Sequence, residues 1–434
     1  MIGVLGGGLS GLVVASGLGD AEVLEAGDRP GGLCRSLTFE GFTFDPHGSH
    51  ILFSKDPKAM SFYEDILRGN VCRRRRNTKV FYKGRYVKYP FENGLGELPP
   101  EDNLACLLGY IEAYYHRQRG AAEKPQNLKE WMYHRFGRGI TDCYLLPYNE
   151  KIWKMPADAM AIDWVDGRVP DPPLEDIVKA SLGLPTEGYT HQLNFVYPRE
   201  GGIEALVRGL LPKVRPVRTD FRVTSIRHKG SRWLIANGRE EREYESIVST
   251  IPIPELIRAM PDAPTAVRDA GEALRHRSLV TVMVGLSTPS LNDFSWVYFP
   301  RPEDGRFNRI SFPSNFSDRV APEGTSSALA EITCEADDDV WKAPDESLVE
   351  HVLERADALG VFRRAEVIAA RVARTRYAYV VFDLDHRRNL DLVKAFAAKQ
   401  GIRLLGRFGQ FDYINTDQCI LRGLVLAAEL GAAG

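Results

Sequence analysis

A glycine-rich hexapeptide set between a strand and a helix restricts this chain to few folds. Residues Gly6-Gly7-Gly8-Leu9-Ser10-Gly11 follow the apolar run Ile2-Gly3-Val4-Leu5, which reads as a short buried strand. They open residues 9–18, which read as a helix, and residues 21–24 read as a second strand ending at Glu25. Strand, helix and strand in that order require a parallel sheet. Glycines at 6, 8 and 11 satisfy G-x-G-x-x-G, and each has a duty: a tight turn, a close backbone approach to a diphosphate, and close packing of helix on sheet. The helix that begins at Leu9 and Ser10 turns unpaired N–H groups and the positive end of its dipole toward the phosphates. Glu25, at the end of the second strand, can accept hydrogen bonds from both adenosine-ribose hydroxyls, which disfavours a 2′-phosphate.

With 434 residues the chain is too long for one core and suggests two or three domains. A net charge of −2 gives no bulk attraction to nucleic acid or to an anionic membrane. No apolar run is long enough to span a bilayer, and glycines interrupt the N-terminal run before a signal peptide could form. The six cysteines are scattered with no C-x-x-C pair, which argues against a zinc site or a disulfide framework. No metal is expected, and the location expected is a reducing cytoplasm.

Further along, residues 78–82 and 86–89 read as a hairpin across Lys83-Gly84-Arg85. Residues 102–184 are helical in pattern, broken once at Pro170–Pro173. A strand-rich stretch covers 195–251, with turns at Lys229-Gly230 and Asn237-Gly238. Residues 279–286 and 295–299 read as further strands, 348–359 as an amphipathic helix, and 402–405 as a buried strand.

FAD rather than NAD is indicated by the segment Glu25-Ala26-Gly27-Asp28-Arg29-Pro30-Gly31-Gly32-Leu33-Cys34-Arg35-Ser36. It resembles the second glycine motif of the FAD family that contains amine oxidases, protoporphyrinogen oxidase, phytoene desaturases and UDP-galactopyranose mutase. The resemblance implies that Gly31 and Gly32, with Leu33 beside them, let the chain pass close to the cofactor, and that Arg35 helps hold its phosphates. Gly406-Arg407-Phe408-Gly409 and Asp417-Gln418, ahead of the last helix, close the same site from the other end of the chain. A helix N-terminus there can stabilise negative charge on the reduced ring, and Asp417 is also a plausible N-cap. Residues 244–252 resemble the strand by which such chains re-enter the FAD domain, and Val223, on an earlier strand, resembles the position beside the adenine.

Several segments resemble the UDP-galactopyranose mutase branch in particular. Gly406 to Tyr413 is similar to its G-R-[FL]-G-x-[YF]-x-Y, Tyr89-Pro90-Phe91-Glu92-Asn93 to its Y-P-F-Q-N, and Asn149-Glu150-Lys151-Ile152-Trp153 with Arg168 to its N-x-K-[VI]-W and downstream arginine. Tyr377-Ala378-Tyr379 resembles a tyrosine-bearing loop at the diphosphate, and the segment from Phe44-Asp45 through His50 to Ser54 resembles the loop against the flavin N5.

The resemblance implies an α/β fold: a discontinuous Rossmann-like FAD domain (1–100, 190–265 and 395–434), a helical insert (101–189), and a sheet-containing substrate domain (266–394). It implies that Arg168, Tyr89, Asn149, Trp153, Tyr379 and Tyr413 bind a small-molecule substrate such as a nucleotide sugar. His50 acts through its backbone and His47 is an acid–base candidate. Trp164 reads as core, and Arg73-Arg74-Arg75-Arg76 as a solvated strand entry.

Two departures stand out. No arginine lies between Arg277 and Arg301, where the mutases carry a second substrate arginine, and Glu92 replaces their glutamine, which would repel a diphosphate. Two reactions are therefore expected to compete. In a mutase, reduced flavin N5 attacks the anomeric carbon while the sugar ring opens and recloses. In an oxidase or dehydrogenase of the amine-oxidase or protoporphyrinogen-oxidase type, substrate hydride passes to the flavin.

Overall fold

The structure is a computed structural model describing residues 1–120, 124–165, 171–186, 193–214 and 216–432. The opening strand Ile2–Leu5 lies at the centre of a five-stranded parallel sheet, ordered Arg403–Leu404, Ser246–Ser249, Ile2–Leu5, Ala21–Leu24 and Val217–Arg218. Such a strand is covered on both faces, which is why it is continuously apolar rather than alternating. The helix Leu9–Ser16 is buried along nearly its whole length, and the last helix, Thr416–Ala432, packs across it. Gly423 permits that crossing: a Cβ there would stand 2.8 Å from Cγ1 of Val13. Both ends of the chain thus meet at one sheet.

Strands Ser225–Lys229, Arg232–Ala236 and Glu241–Tyr244 form a small antiparallel sheet whose turns fall at Lys229-Gly230 and Asn237-Gly238, as the sequence suggests. The strand-rich stretch is interrupted by a helix, Glu204–Leu210, which the pattern had not separated.

A seven-stranded sheet forms the second layer, ordered Val367–Val380, His276–Leu286, Ser326–Cys334, Arg309–Ser311, Trp296–Tyr298, Thr78–Tyr82 and Arg85–Lys88. Helix Asp345–Ala358 covers one face of it through Leu348 and Val352. The hairpin turns on two residues rather than three. Tyr82 pairs with Arg85, and Lys83 and Gly84 take φ of 49° and 79°, the primed turn that matches strand twist. That hairpin joins the seven-stranded sheet through parallel pairing with Trp296–Tyr298, so residues 78–88 pair away from the parallel sheet of the N-terminal unit.

Helices Pro100–Gln118, Leu128–Ile140, Leu146–Trp153 and Leu174–Ser181 make the helical block. Pro173 precedes the last of these, while Pro170 lies outside the described residues. All six cysteines are free, and among the described residues no helix is long and apolar enough to cross a membrane and no cluster is suited to a metal ion.

Candidate active site

The two glycine motifs lie backbone to backbone. Gly31 N donates to Gly7 O at 2.8 Å, Gly8 bridges Gly31, and a Cβ on Gly32 would stand 3.1 Å from Gly8 Cα. Gly6 needs its glycine, with φ of 101° and Thr250 Oγ1 only 2.5 Å from the position of a Cβ. Gly8 differs: its backbone is ordinary extended chain, and a Cβ there meets nothing within 4 Å. Gly8 caps the helix without a side-chain bond, and no acidic residue sits in the first turn. Open space in front of uncapped N–H groups is the shape a diphosphate requires.

Glu25 ties this cradle together. Its Oε2 accepts the Gly7 N–H and its Oε1 the Gly27 N–H, both at 2.8 Å. Each oxygen keeps a second lone pair for a ribose hydroxyl. Arg35 stands 3.5 Å from Asp28 and lays its stem on Gly31. Leu33 and Val223 pack on one hydrophobic cluster, with Val223 just ahead of the strand Ser225–Lys229 rather than on a strand.

At the C-terminal end, Gly406 takes φ of 87°, and a Cβ there would lie 2.8 Å from the Ser10 hydroxyl oxygen. Arg407 donates to Ile414 O at 2.9 Å and Ala378 O at 3.3 Å, which orders the loop between Gly406 and Ile414. Asp417 is not an N-cap: the last helix starts at Thr416, so Asp417 sits inside the first turn and accepts the Ser54 hydroxyl at 2.9 Å. Gln418 lines the cavity.

The loop from Asp45 to His50 is pinned from several sides. Asp45 is buried and accepts the Ser36 and Tyr197 hydroxyls, both at 2.8 Å, and the Ile203 N–H at 3.0 Å. Burial nevertheless pushes its carboxyl up to about 6. Thr281 donates to Pro46 O at 2.8 Å, and His47 Nδ1 meets the Thr375 hydroxyl at 2.7 Å. Ser49 N donates to Glu331 at 3.2 Å. Burial first, then nearby arginines, pull His47 down to about 4 and His50 to about 3. Both imidazoles are therefore neutral near pH 7. His50 Nδ1 is buried with no partner among the described residues.

Between the parallel unit and the seven-stranded sheet lies a cavity of about 840 Å³. His47, His50, Tyr89, Tyr379, Tyr413 and Arg407 line it. Four further residues line it unexpectedly: Arg76 and Trp164, which read as a solvated strand entry and as core, and Trp296 and Arg309, which no motif singles out. Arg76 closes a run in which Arg73 and Arg75 are exposed and Arg74 and Arg76 half-buried. The alternation along a strand was the available signal, because every second arginine must face inward. The guanidinium carbons of Arg76 and Arg309 lie 5.8 and 5.9 Å from the Trp296 ring centre.

Other expected residues stand elsewhere. Trp153 is buried behind the wall, edge-on to Trp164, Tyr379 and Tyr413. Its indole N–H donates to Asn149 Oδ1 at 3.1 Å, and Asn149 donates to Leu145 O at 2.7 Å. The two satisfy each other, while the half-buried Trp164 faces the cavity. Glu92 is 3% exposed and is not among the described lining residues, so it presents no charge to a ligand there. Arg168 lies outside the described residues.

Each aspartate on the lining, among the described residues, is engaged. Asp163 is held by Arg387 at 3.1 Å, Asp412 by Arg422 at 3.0 Å, Asp417 by Ser54 at 2.9 Å, and Asp56 by the Lys58 N–H at 2.8 Å.

Comparison with known proteins agrees with this arrangement. The family model described as flavin containing amine oxidoreductase matches residues 9–378. A solved structure of reduced UDP-galactopyranose mutase is similar over 100% of this chain and 96% of its own, at 25% identity and a TM-score of 0.89. A protein from an Exiguobacterium species with a provisional protoporphyrinogen oxidase assignment shares the fold over 100% and 99% of the two chains (18% identity, TM-score 0.79). So does putrescine oxidase bound to putrescine, over 99% and 98% (17% identity, TM-score 0.66).

Proposed function

The chain belongs to the flavin-containing amine oxidoreductase family, and from that premise we propose that it holds FAD and interconverts the ring forms of a sugar linked to a nucleoside diphosphate. A reduced flavin supplies a nucleophilic nitrogen at its N5.

One observation carries the choice of substrate. Arg76 and Arg309 flank Trp296 on the lining, while Asp163 and Asp412, among the described residues there, are paired with Arg387 and Arg422. An ammonium substrate would meet arginine beside that ring, whereas a diphosphate meets donors there. The hydroxyls of Tyr89 and Tyr379 are neutral, since burial raises both phenols above their ordinary value, and Tyr413 stands on the same lining. They add hydrogen bonds without repelling an anion. Trp164 offers an apolar face to a sugar ring. His47, held at Nδ1 by Thr375, keeps Nε2 to exchange a proton with a sugar hydroxyl.

The mutase similarity, at 25% identity over the full chain, supports the same reading. The test is to incubate the flavin-loaded protein with UDP-, GDP- and TDP-hexoses, with and without dithionite. Interconversion that requires prior reduction is expected. Bleaching of the oxidised flavin by a substrate alone would instead make the enzyme an oxidase or dehydrogenase. If no nucleotide sugar perturbs the flavin in either state, the substrate assignment is wrong.

A further inference from the structure

One buried carboxylate touches three parts of the cavity wall without lining the cavity itself. Glu331 lies in the strand Ser326–Cys334 and is 0% exposed. Its Oε1 accepts Nε of Arg309 at 2.9 Å, Nη2 of Arg309 at 2.6 Å, and the Ser49 N–H at 3.2 Å. Its Oε2 accepts the Tyr379 hydroxyl at 3.4 Å and lies 3.6 Å from the position of a Cβ on Gly48. Arg309, Ser49 and Tyr379 all line the cavity, and they come from different segments.

A buried ion pair is a weak source of stability, because desolvating two charges offsets most of their attraction. Its geometry, however, is specific. With Nε and Nη2 committed to Glu331, Arg309 can offer a ligand Nη1, in a direction fixed by its planar fork. The Ser49 N–H, committed to the same oxygen, holds the Gly48–Ser49 peptide in one orientation.

We propose that Glu331 is a positioning residue that sets both the aim of Arg309 toward a substrate anion and the seat of the Ser49–His50 loop against the flavin. This rests on the reading above that FAD lies against that loop and that the substrate is anionic. Because Glu331 also neutralises Arg309, it shields the flavin from an uncompensated positive charge.

The experiment uses the flavin-loaded protein without turnover. In Glu331→Gln the amide keeps an acceptor but loses the charge, so reduced flavin is favoured. We expect about a tenfold rise in the reduced-to-oxidised ratio against a reference dye, about 30 mV for a two-electron couple. An unchanged ratio in folded, flavin-bound protein overturns the proposal and leaves a purely structural ion pair. Should Glu331→Gln not retain flavin, Glu331→Asp reports instead, because it keeps the charge but withdraws it by one methylene. UDP affinity, read by tryptophan quenching, is then expected to fall about tenfold with an altered flavin absorption envelope; if neither changes, the proposal fails. A shifted flavin equilibrium in protein that does not bind UDP at all overturns the substrate reading and the aim of Arg309 with it, and leaves Glu331 as the residue that seats the Ser49–His50 loop.

Discussion

The guanidinium carbon of Arg76 stands 5.2 Å from the centre of the Tyr89 ring. Two residues from separate segments thereby present one cationic, aromatic surface to the cavity. Arg76→Ala is expected to weaken UDP binding about tenfold, as loss of a charge-assisted contact does. Arg73→Ala, on the exposed side of the strand Cys72–Arg75 just before Arg76, is expected to leave it within about twofold. Titration calorimetry of both variants with UDP checks this; equal losses would show that the run acts only through its general charge.

Gly8 and Gly11 are expected to fail in different ways. A methyl at Gly8 meets nothing within 4 Å, so Gly8→Ala should fold and melt like the flavin-free parent yet not hold flavin, because its methyl occupies the phosphate space. A methyl at Gly11 would stand 2.0 Å from Gly6 O, so Gly11→Ala should lose soluble, folded protein. Thermal melts and the flavin absorbance of purified variants separate the outcomes.

Asp45 makes stability depend on pH in an uncommon direction. Its folded value of about 6 exceeds the ordinary 3.8, so the folded state binds its proton more tightly than the unfolded chain. The contribution is fully present below about pH 4 and is lost as pH rises through 6, amounting to about 3 kcal/mol at an order of magnitude. Denaturant unfolding of the parent and of Asp45→Asn should therefore show the parent losing stability relative to the variant between these limits. A constant difference from pH 4 to 7 would remove Asp45 as the cause.

Neither cavity histidine is expected to shape the rate near neutrality. His47 lies near 4 and His50 near 3, so both stay neutral as pH moves from 6 to 8. The profile of kcat/KM should lack an inflection near the ordinary histidine value of about 6.5, and any limb due to His47 acting as a base should appear near 4. An inflection near 6.5 that disappears in His47→Gln would contradict this.

The glycine motifs, the parallel opening and the closure from Gly406 to Gln418 were legible because each depends on local chemistry: backbone angles, helix ends and short spacings. The partners of Glu331 were not. Arg309 meets it across neighbouring strands, and Ser49 and Tyr379 reach it from distant segments, so no spacing in the chain encodes the cluster. The exchange of roles between Trp153 and Trp164 was hidden for a similar reason. Trp153 ends a helix and Trp164 follows a short helical turn, and only the packing of Tyr379 and Tyr413 decides which one is walled off. Sheet membership of the 78–88 hairpin likewise depends on a parallel partner more than two hundred residues away, at Trp296.

The order of strands in the parallel sheet bears on how the protein is made. Ile2–Leu5 pairs on one side with nearby Ala21–Leu24, but its other neighbour, Ser246–Ser249, is synthesised much later, and Arg403–Leu404 and the last helix later still. An apolar strand with an open edge thus leaves the ribosome well before the partner that covers that edge, a state prone to mispairing. The cradle opened by Gly6 to Gly11 is closed by Gly406 to Gln418, so it cannot be complete until those later residues have been made.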